Sequence, residues 1–403
     1  MKKIKRRNST SFFKQKITRR DFLKKGVVGL FGIAAGYFIL KKLFLEKLPV
    51  ENSVGSQIQE LWKWSKEASY YEKFPSYIRC KLCPHQCSLN ENERGICRAR
   101  VNFRGKLYTL TYGNPCALHI DPIEKKPFYH FLPGTFAFSL STAGCNLRCK
   151  YCQNFDISQK KPEETTNYDM LPEKTVELAL NEKGKDDKVM TIAYTYAEPV
   201  AFYDYMLDTA KIANEKGIRN VVVTAGYINE KPLINLAKEV DAIKIDLKGF
   251  NERFYREICE AELEHVLKAC KITYREAKWF EIVNLVVPTL NDNLEEIKQL
   301  CEWIKENLSK DIPLHFSRFH PMYKLTNLPP TPIETLKKAR DIALNVGLNF
   351  VYIGNVPHDD YENTYCPKCK SLLIERIGYK IKRNDIIDGK CKNCGAKIPG
   401  IWN

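Results

Sequence analysis

The chain has 403 residues, 44% of them hydrophobic and 28% charged, ordinary values for a globular protein with one large domain and smaller attachments. Its net charge of +16 is unevenly placed: residues 1–25 carry eleven Lys or Arg against one acid, Lys41, Lys42 and Lys47 oppose Glu46, and residues 51–403 keep only a small excess. A nearly balanced folded part removes the main support for nucleic-acid binding, whereas 15 cysteines are more than packing needs and direct attention to their grouping.

In chain order, Thr18-Arg19-Arg20-Asp21-Phe22-Leu23-Lys24 fits the twin-arginine export consensus, and an apolar run from Gly26 to Leu40 follows it. The run is shorter than the ~20 residues of a comfortable membrane span. No small-x-small cleavage site comes next, only Lys41-Lys42-Leu43-Phe44-Leu45. Residues 1–50 are therefore expected to be an uncleaved leader that associates the protein with a membrane, on a side left open. The alternative is a basic amphipathic arm on an anionic surface.

Residues 51–78 read as a linker with an amphipathic helix, because Ile58, Leu61, Trp62 and Ala68 fall near helical spacing. A Cys-rich module is expected over 79–130. From 131 to 358, strands are expected at Phe136–Ser141, Met190–Tyr196, Asn220–Thr224, Ala242–Leu247, Phe280–Val287, Leu314–Ser317 and Phe350–Gly354. Helices are expected between them, among them Val200–Lys216, Lys231–Val240, Leu294–Asn307 and Pro332–Val346. This alternation predicts an α/β fold, a partial (β/α) TIM-like barrel with small Cys-rich metal modules at both ends. In such a fold the residues just past the C-terminal strand ends form the active face. Cys145, Glu198, Asp246, Lys248 and His320 all fall there.

The strongest motif is Cys145-x3-Cys149-x2-Cys152. Three thiolates on one short loop bind three irons of a four-iron four-sulfur cluster and leave the fourth without a protein ligand. The competing readings are a zinc loop or a disulfide with a spare thiol, but zinc prefers four ligands in pairs. Cys80, Cys83, Cys87 and Cys97 suit zinc, an auxiliary iron–sulfur cluster or two disulfides. Cys366, Cys369, Cys391 and Cys394, followed by Gly395, have zinc-ribbon spacing over 359–403, with an iron site or disulfides as the alternative. Cys116, Cys259, Cys270 and Cys301 are scattered and read as buried free thiols.

The cysteine loop, Tyr194-Thr195-Tyr196-Ala197-Glu198-Pro199, Ile245-Asp246-Leu247-Lys248-Gly249, Leu285 to Asp292, His315 to Pro321 and Tyr352-Ile353-Gly354-Asn355 occur in order. With Asp121 to Pro127 and the early cysteine group they closely resemble the AmmeMemoRadiSam-system radical S-adenosylmethionine (SAM) enzymes, relatives of the pyruvate formate-lyase activating enzymes, over about residues 75–400. The resemblance implies a cluster on Cys145, Cys149 and Cys152 that reductively cleaves SAM to a 5′-deoxyadenosyl radical. It places Glu198 beside the SAM amino group, Asp246 and Lys248 near its carboxylate, His320 at its ribose or methionine part and Tyr151 by the adenine. Their structural alternatives are a solvated rim acid, an ion pair, a core histidine and a packing tyrosine. It further implies an electron donor such as ferredoxin or flavodoxin, and AMMECR-type and Memo-type partner proteins. Two other functions stay open: a glycyl-radical activase acting on a partner enzyme, and a non-catalytic iron–sulfur or zinc scaffold.

Overall fold

The computed structural model describes residues 60–357 and 360–403; the expected leader and the start of the expected linker lie outside them. The described residues belong to one compact unit. Among the described residues no helix is long and apolar enough to cross a membrane.

The centre is an eight-stranded sheet. Its strands are β1 (Ala117–Pro122), β2 (Phe136–Ser141), β3 (Val189–Tyr194), β4 (Arg219–Thr224), β5 (Ala242–Asp246), β6 (Phe280–Val286), β7 (Leu314–Arg318) and β8 (Val351–Gly354). They lie side by side in chain order. β2 to β8 are parallel and β1 runs antiparallel to β2 at one edge. The parallel strands read as apolar runs because helices cover them: α1 (Pro172–Lys185), α2 (Tyr203–Glu215), α3 (Glu230–Glu239), α4 (Leu263–Glu276), α5 (Leu294–Asn307) and α6 (Ile333–Val346).

Helix α5 shows why the local sequence folds this way. Asn293 caps it, its side chain accepting from the Glu295 and Glu296 N–H groups at 2.9 and 3.3 Å, and those two acids face the positive end of the helix dipole. Ile297, Leu300, Cys301 and Ile304 then fall on one face and are buried. Cys270 in α4 is buried in the same manner, so these two thiols are packing residues.

All seven expected strands and four expected helices are present within two residues at each end, except that the stretch expected from Val200 begins as a short 3-10 turn, Pro199–Phe202, before α2. Helices α1 and α4, and the edge strand β1, were not singled out from the sequence.

Three expectations need correction. Residues 60–78 form no helix: short strands at Lys66–Glu67, Tyr71–Lys73 and Ile78–Cys80 take their place. Lys66 and Glu67 pair with Thr109 and Tyr108, and the Ala68 N–H bonds to the Leu107 carbonyl at 2.8 Å. Sheet pairing with residues forty positions away overrides the local apolar spacing. Secondly, the boundary at 130/131 cuts through the sheet, because β1 lies before it and pairs with β2 along its whole length. Finally, the C-terminal segment is not an independent module. Its strands Thr364–Tyr365, Leu372–Ile377 and Lys380–Asn384 share a core with Tyr129, Phe350 and Tyr352.

The sheet is open, since β1 and β8 have no strand pairing with each other among the described residues. The segment after β1 spans that gap. The Tyr129 and His130 N–H groups donate to Glu281 of β6 at 2.9–3.1 Å, and His130 Nε2 lies 2.6 Å from the Tyr352 hydroxyl of β8.

Candidate active site

One cavity of about 900 Å³ opens at the C-terminal ends of the strands. Cys145, Cys149, Cys152, Tyr151, Glu198, Asp246, Lys248 and His320 all line it, so the eight residues singled out for a cluster and its cofactor meet in one place. Its size is at the upper end of ordinary small-molecule sites.

The three cysteines sit on the loop after β2, which has little regular structure and is held by bonds to remote segments. Asn146 Nδ2 donates to the Tyr227 carbonyl at 2.8 Å, and the Arg148 and Lys150 N–H groups donate to the Cys259 and Ile258 carbonyls at 2.9 and 3.0 Å. Asn154 Nδ2 donates to the Tyr196 carbonyl at 2.6 Å. Gly144 enters the loop with φ +100°, and a Cβ there would stand 2.6 Å from the Cys97 carbonyl oxygen. Only glycine fits both requirements. The Leu147 N–H points to Cys145 Sγ at 3.3 Å, and Ser158 Oγ is 3.2 Å from Cys152 Sγ. Cys259 is the nearby fourth thiol, 3.6 Å from the Tyr151 hydroxyl, but it is fully buried and does not line the cavity.

Glu198 follows β3. Its carboxylate accepts from Thr224 Oγ1 at 2.5 Å, the Ala225 N–H at 2.8 Å and the Val200 N–H at 3.2 Å. Burial raises its pKa, and these donors oppose the rise. Asp246 ends β5 between two ammonium groups, bonded to Lys244 and 3.4 Å from Lys248 Nζ. Burial works against the Asp246 charge, yet Lys244 and Lys248 hold the carboxyl below its ordinary range. Lys248 is itself placed by its backbone: its N–H donates to the Tyr255 hydroxyl at 3.0 Å and its carbonyl accepts from Asn291 Nδ2 at 2.6 Å. Asn291 belongs to the Leu285–Asp292 motif, whose function here is to clamp the β5 end.

Residues that the sequence reading gave no role complete the wall. Lys244 is two positions before Asp246 on the same strand face, a signal that the Lys-Ile-Asp-Leu-Lys alternation carried. Asp121 and Lys126, from the Asp121–Pro127 motif, bond at 2.5 Å. Asp121 also accepts from the Tyr196 hydroxyl, and Lys126 Nζ stands 4.2 Å over the Tyr196 ring. Tyr196 has φ +70°, a strained value for an aromatic residue, and is strapped from both sides. Burial pushes Lys126 down to about 8 despite Asp121.

The other two cysteine groups lie elsewhere. Cys366, Cys369, Cys391 and Cys394 bring their sulfurs within 4.8 Å of one another and could hold a metal ion. Two of the spacings are 3.6 and 3.7 Å. Cys80, Cys83, Cys87 and Cys97 line a second, small cavity on the far side of the cysteine loop.

Glu124 supplies a pH test of the cavity wall. Its Oε1 accepts from the Gly134 N–H at 2.7 Å. Burial pushes its carboxyl up to about 7, against the opposing pull of Arg376 and that N–H. The native state therefore holds this proton between about pH 4.5 and 7 where the unfolded chain has released most of it, and the buried charge costs stability above that window. Glu124→Gln keeps the shape and the acceptor. It is expected to stabilise the fold by about 2 kcal/mol at pH 8 and by little at pH 5 in denaturant titrations. Equal effects at both pH values would contradict this account.

Residues 139–304 match the family model of the radical SAM superfamily. Over 336 residues the chain is 48% identical to the uncharacterized protein MJ0808 of Methanocaldococcus jannaschii, covering 83% of this chain and 98% of that one. It is 26% identical over 209 residues to the pyruvate formate-lyase-activating enzyme of Clostridium pasteurianum, covering 48% and 84%. Among solved structures, a radical SAM methyltransferase from Sphaerobacter thermophilus is similar at 15% identity and a TM-score of 0.45, over 56% of this chain and 67% of that one. The chain belongs to the radical SAM superfamily, in one family with MJ0808 and with the pyruvate formate-lyase activating enzymes among its relatives.

Proposed function

We propose that the chain is a radical SAM enzyme that works in the 900 Å³ cavity, built as a partial barrel, on a substrate the cavity holds beside SAM. The observation that carries this reading is the meeting of three loop thiols with Glu198, Asp246, Lys248 and His320 around one space. The donor set fits a four-iron cluster: Cys145, Cys149 and Cys152 supply three thiolates, and no fourth cysteine lines the cavity among the described residues. When bound, such a cluster supplies the electron that cleaves SAM to methionine and a 5′-deoxyadenosyl radical, which abstracts a hydrogen atom from the substrate.

The chain's own residues bind and orient. Asp246, held ionised between Lys244 and Lys248, presents a negative edge to a SAM ammonium or sulfonium, while Lys248 suits its carboxylate. Glu198 already takes three donors, so it accepts a further one only with its remaining lone pair, which restricts the direction of a SAM amino group. Tyr151 and His320 flank the same space. The electron donor is of the ferredoxin or flavodoxin class, and AMMECR-type and Memo-type proteins are the proposed partners. A second reading, activation of a glycyl-radical enzyme, is favoured by the relative that activates pyruvate formate-lyase. It requires a partner protein with a glycine loop that reaches the cavity. We also propose that the leader carries the chain to a membrane, and recovery of the full-length chain in the soluble fraction of its host would exclude this.

The C-terminal four cysteines are proposed to bind zinc. Tetrahedral zinc with bonds of ~2.3 Å spaces its sulfurs by ~3.8 Å, close to the spacings found here. One equivalent of zinc per chain is expected by metal analysis, and Cys369→Ala with Cys394→Ala should remove it.

Anaerobic reduction of the reconstituted protein is expected to convert SAM to 5′-deoxyadenosine and methionine, and Ala at Cys145, Cys149 and Cys152 should reduce this to background. Asp246→Asn should weaken SAM binding about tenfold while the cluster absorbance persists. Retained cleavage in the cysteine variants would refute the reading. A partner-dependent glycyl radical signal would select the second reading over the first.

A further inference from the structure

Residues 78–103 fold as short strands, Ile78–Cys80, Ser88–Leu89 and Arg100–Phe103, around the N-terminal cavity. Its volume is about 20 Å³, and Cys80, Cys83, Cys87 and Cys97 line it together with Arg100 and Asn146. All four thiols are free; Cys80 and Cys83 are buried and Cys87 and Cys97 partly so.

The size of this space distinguishes among the metals that four cysteines can bind. Zinc draws its sulfurs to ~3.8 Å from one another, and a nest that tight leaves no room between them. The C-terminal four have that geometry. Among the described residues they alone bring three or more ligand atoms within 4.8 Å of each other, so the N-terminal thiols stand wider apart. Their cavity exceeds the ~10–15 Å³ that one water needs. Thiolates that bind different irons around a core of bridging sulfides require this wider arrangement.

The wall chemistry agrees. Arg100 is 1% exposed, its Nη1 is 3.8 Å from Cys80 Sγ and its Nη2 is 2.5 Å from Asp204 Oδ2. Its Nε is a buried donor with no hydrogen-bond partner, which suits an anionic cluster and not a packed set of neutral thiols.

The position of the site indicates what it does. His85 Nε2 lies 2.7 Å from the Asn146 carbonyl, and Gly144 is pressed against the Cys97 carbonyl. Asn146 lines the small cavity and its chain neighbour Cys145 lines the large one. A single peptide segment, Gly144–Leu147, therefore forms the wall between them.

We infer that Cys80, Cys83, Cys87 and Cys97 hold an iron–sulfur cluster that passes electrons through this wall to the cluster at Cys145, Cys149 and Cys152. The electron-transfer part rests on the radical SAM reading, whereas the N-terminal cluster does not. In the step, the reduced N-terminal cluster loses one electron and the oxidised loop cluster gains it, with no proton or ligand moved. A one-electron donor of the ferredoxin or flavodoxin class then restores the N-terminal cluster.

The test uses the full chain, reconstituted anaerobically with iron and sulfide. A Cys145→Ala/Cys149→Ala/Cys152→Ala variant is expected to keep iron and inorganic sulfide, with charge-transfer absorbance and an electron paramagnetic resonance signal on reduction. Loss of all iron and sulfide from this variant, or a second equivalent of zinc in their place beyond the one at the C-terminal cysteines, would overturn the N-terminal cluster. Wild-type protein that is fully reduced, freed of donor and mixed with SAM should form close to two 5′-deoxyadenosine per chain, because both clusters deliver an electron. One per chain would overturn the electron transfer. No 5′-deoxyadenosine from the wild type, with the variant's cluster intact, would instead count against the radical SAM reading and leave the N-terminal cluster standing.

Discussion

An open sheet of mainly parallel strands leaves an unpaired edge on each side, and here one buried carboxylate ties together the segment that spans the gap. Glu281 has no exposed surface and accepts from the Tyr129 and His130 N–H groups, from Trp279 Nε1 at 3.0 Å, and faces His315 Nε2 at 2.7 Å. A carboxylate in such a place is tolerable only when its lone pairs are satisfied, so the four partners and the acid must form together. Once Tyr129 is fixed, Arg376 stacks 4.2 Å over its ring and donates to its carbonyl at 2.8 Å, which docks the C-terminal strands. The edges of the sheet, the floor of the cavity and the C-terminal cysteine segment all depend on this one group.

Above that floor the strand ends carry charge in alternation. Lys126 with Asp121, Lys244 with Asp246, and Lys248 with the same Asp246 form a chain of ion pairs along the cavity wall. Lys126 and Asp121 are both buried, whereas Asp246 keeps about a third of its side chain open to the cavity; each member has a partner, so removing one leaves the other charge uncompensated. The same arrangement gives fixed dipoles and charges to whatever the cavity binds, with little reorganisation.

The loop that bears Cys145, Cys149 and Cys152 is rigid for a different reason. Its anchors, Tyr227, Ile258, Cys259 and Tyr196, come from three separate strand-to-helix connections. The thiols are therefore positioned by the complete set of connections and not by a local helix or strand, as a preorganised ligand set requires.

The sequence alone determined what depends on near neighbours. Apolar runs alternating with amphipathic stretches located seven strands and four helices, and cysteine spacing separated three groups of thiols. Glu198, Asp246, Lys248 and His320 were legible because a position just past a strand end is itself a local property. The helix expected near residue 60 failed where a local pattern met a remote partner, since Lys66 and Glu67 pair with strand residues beyond position 100. Glu281 and Tyr129 are separated by 152 positions, and Asp121 and Tyr196 by 75. The different widths of the two four-cysteine sites likewise arise from the backbone that carries them. Tertiary structure decided these features because a buried charge or thiol acquires its character from the groups that enclose it, and chain distance does not specify which groups those are.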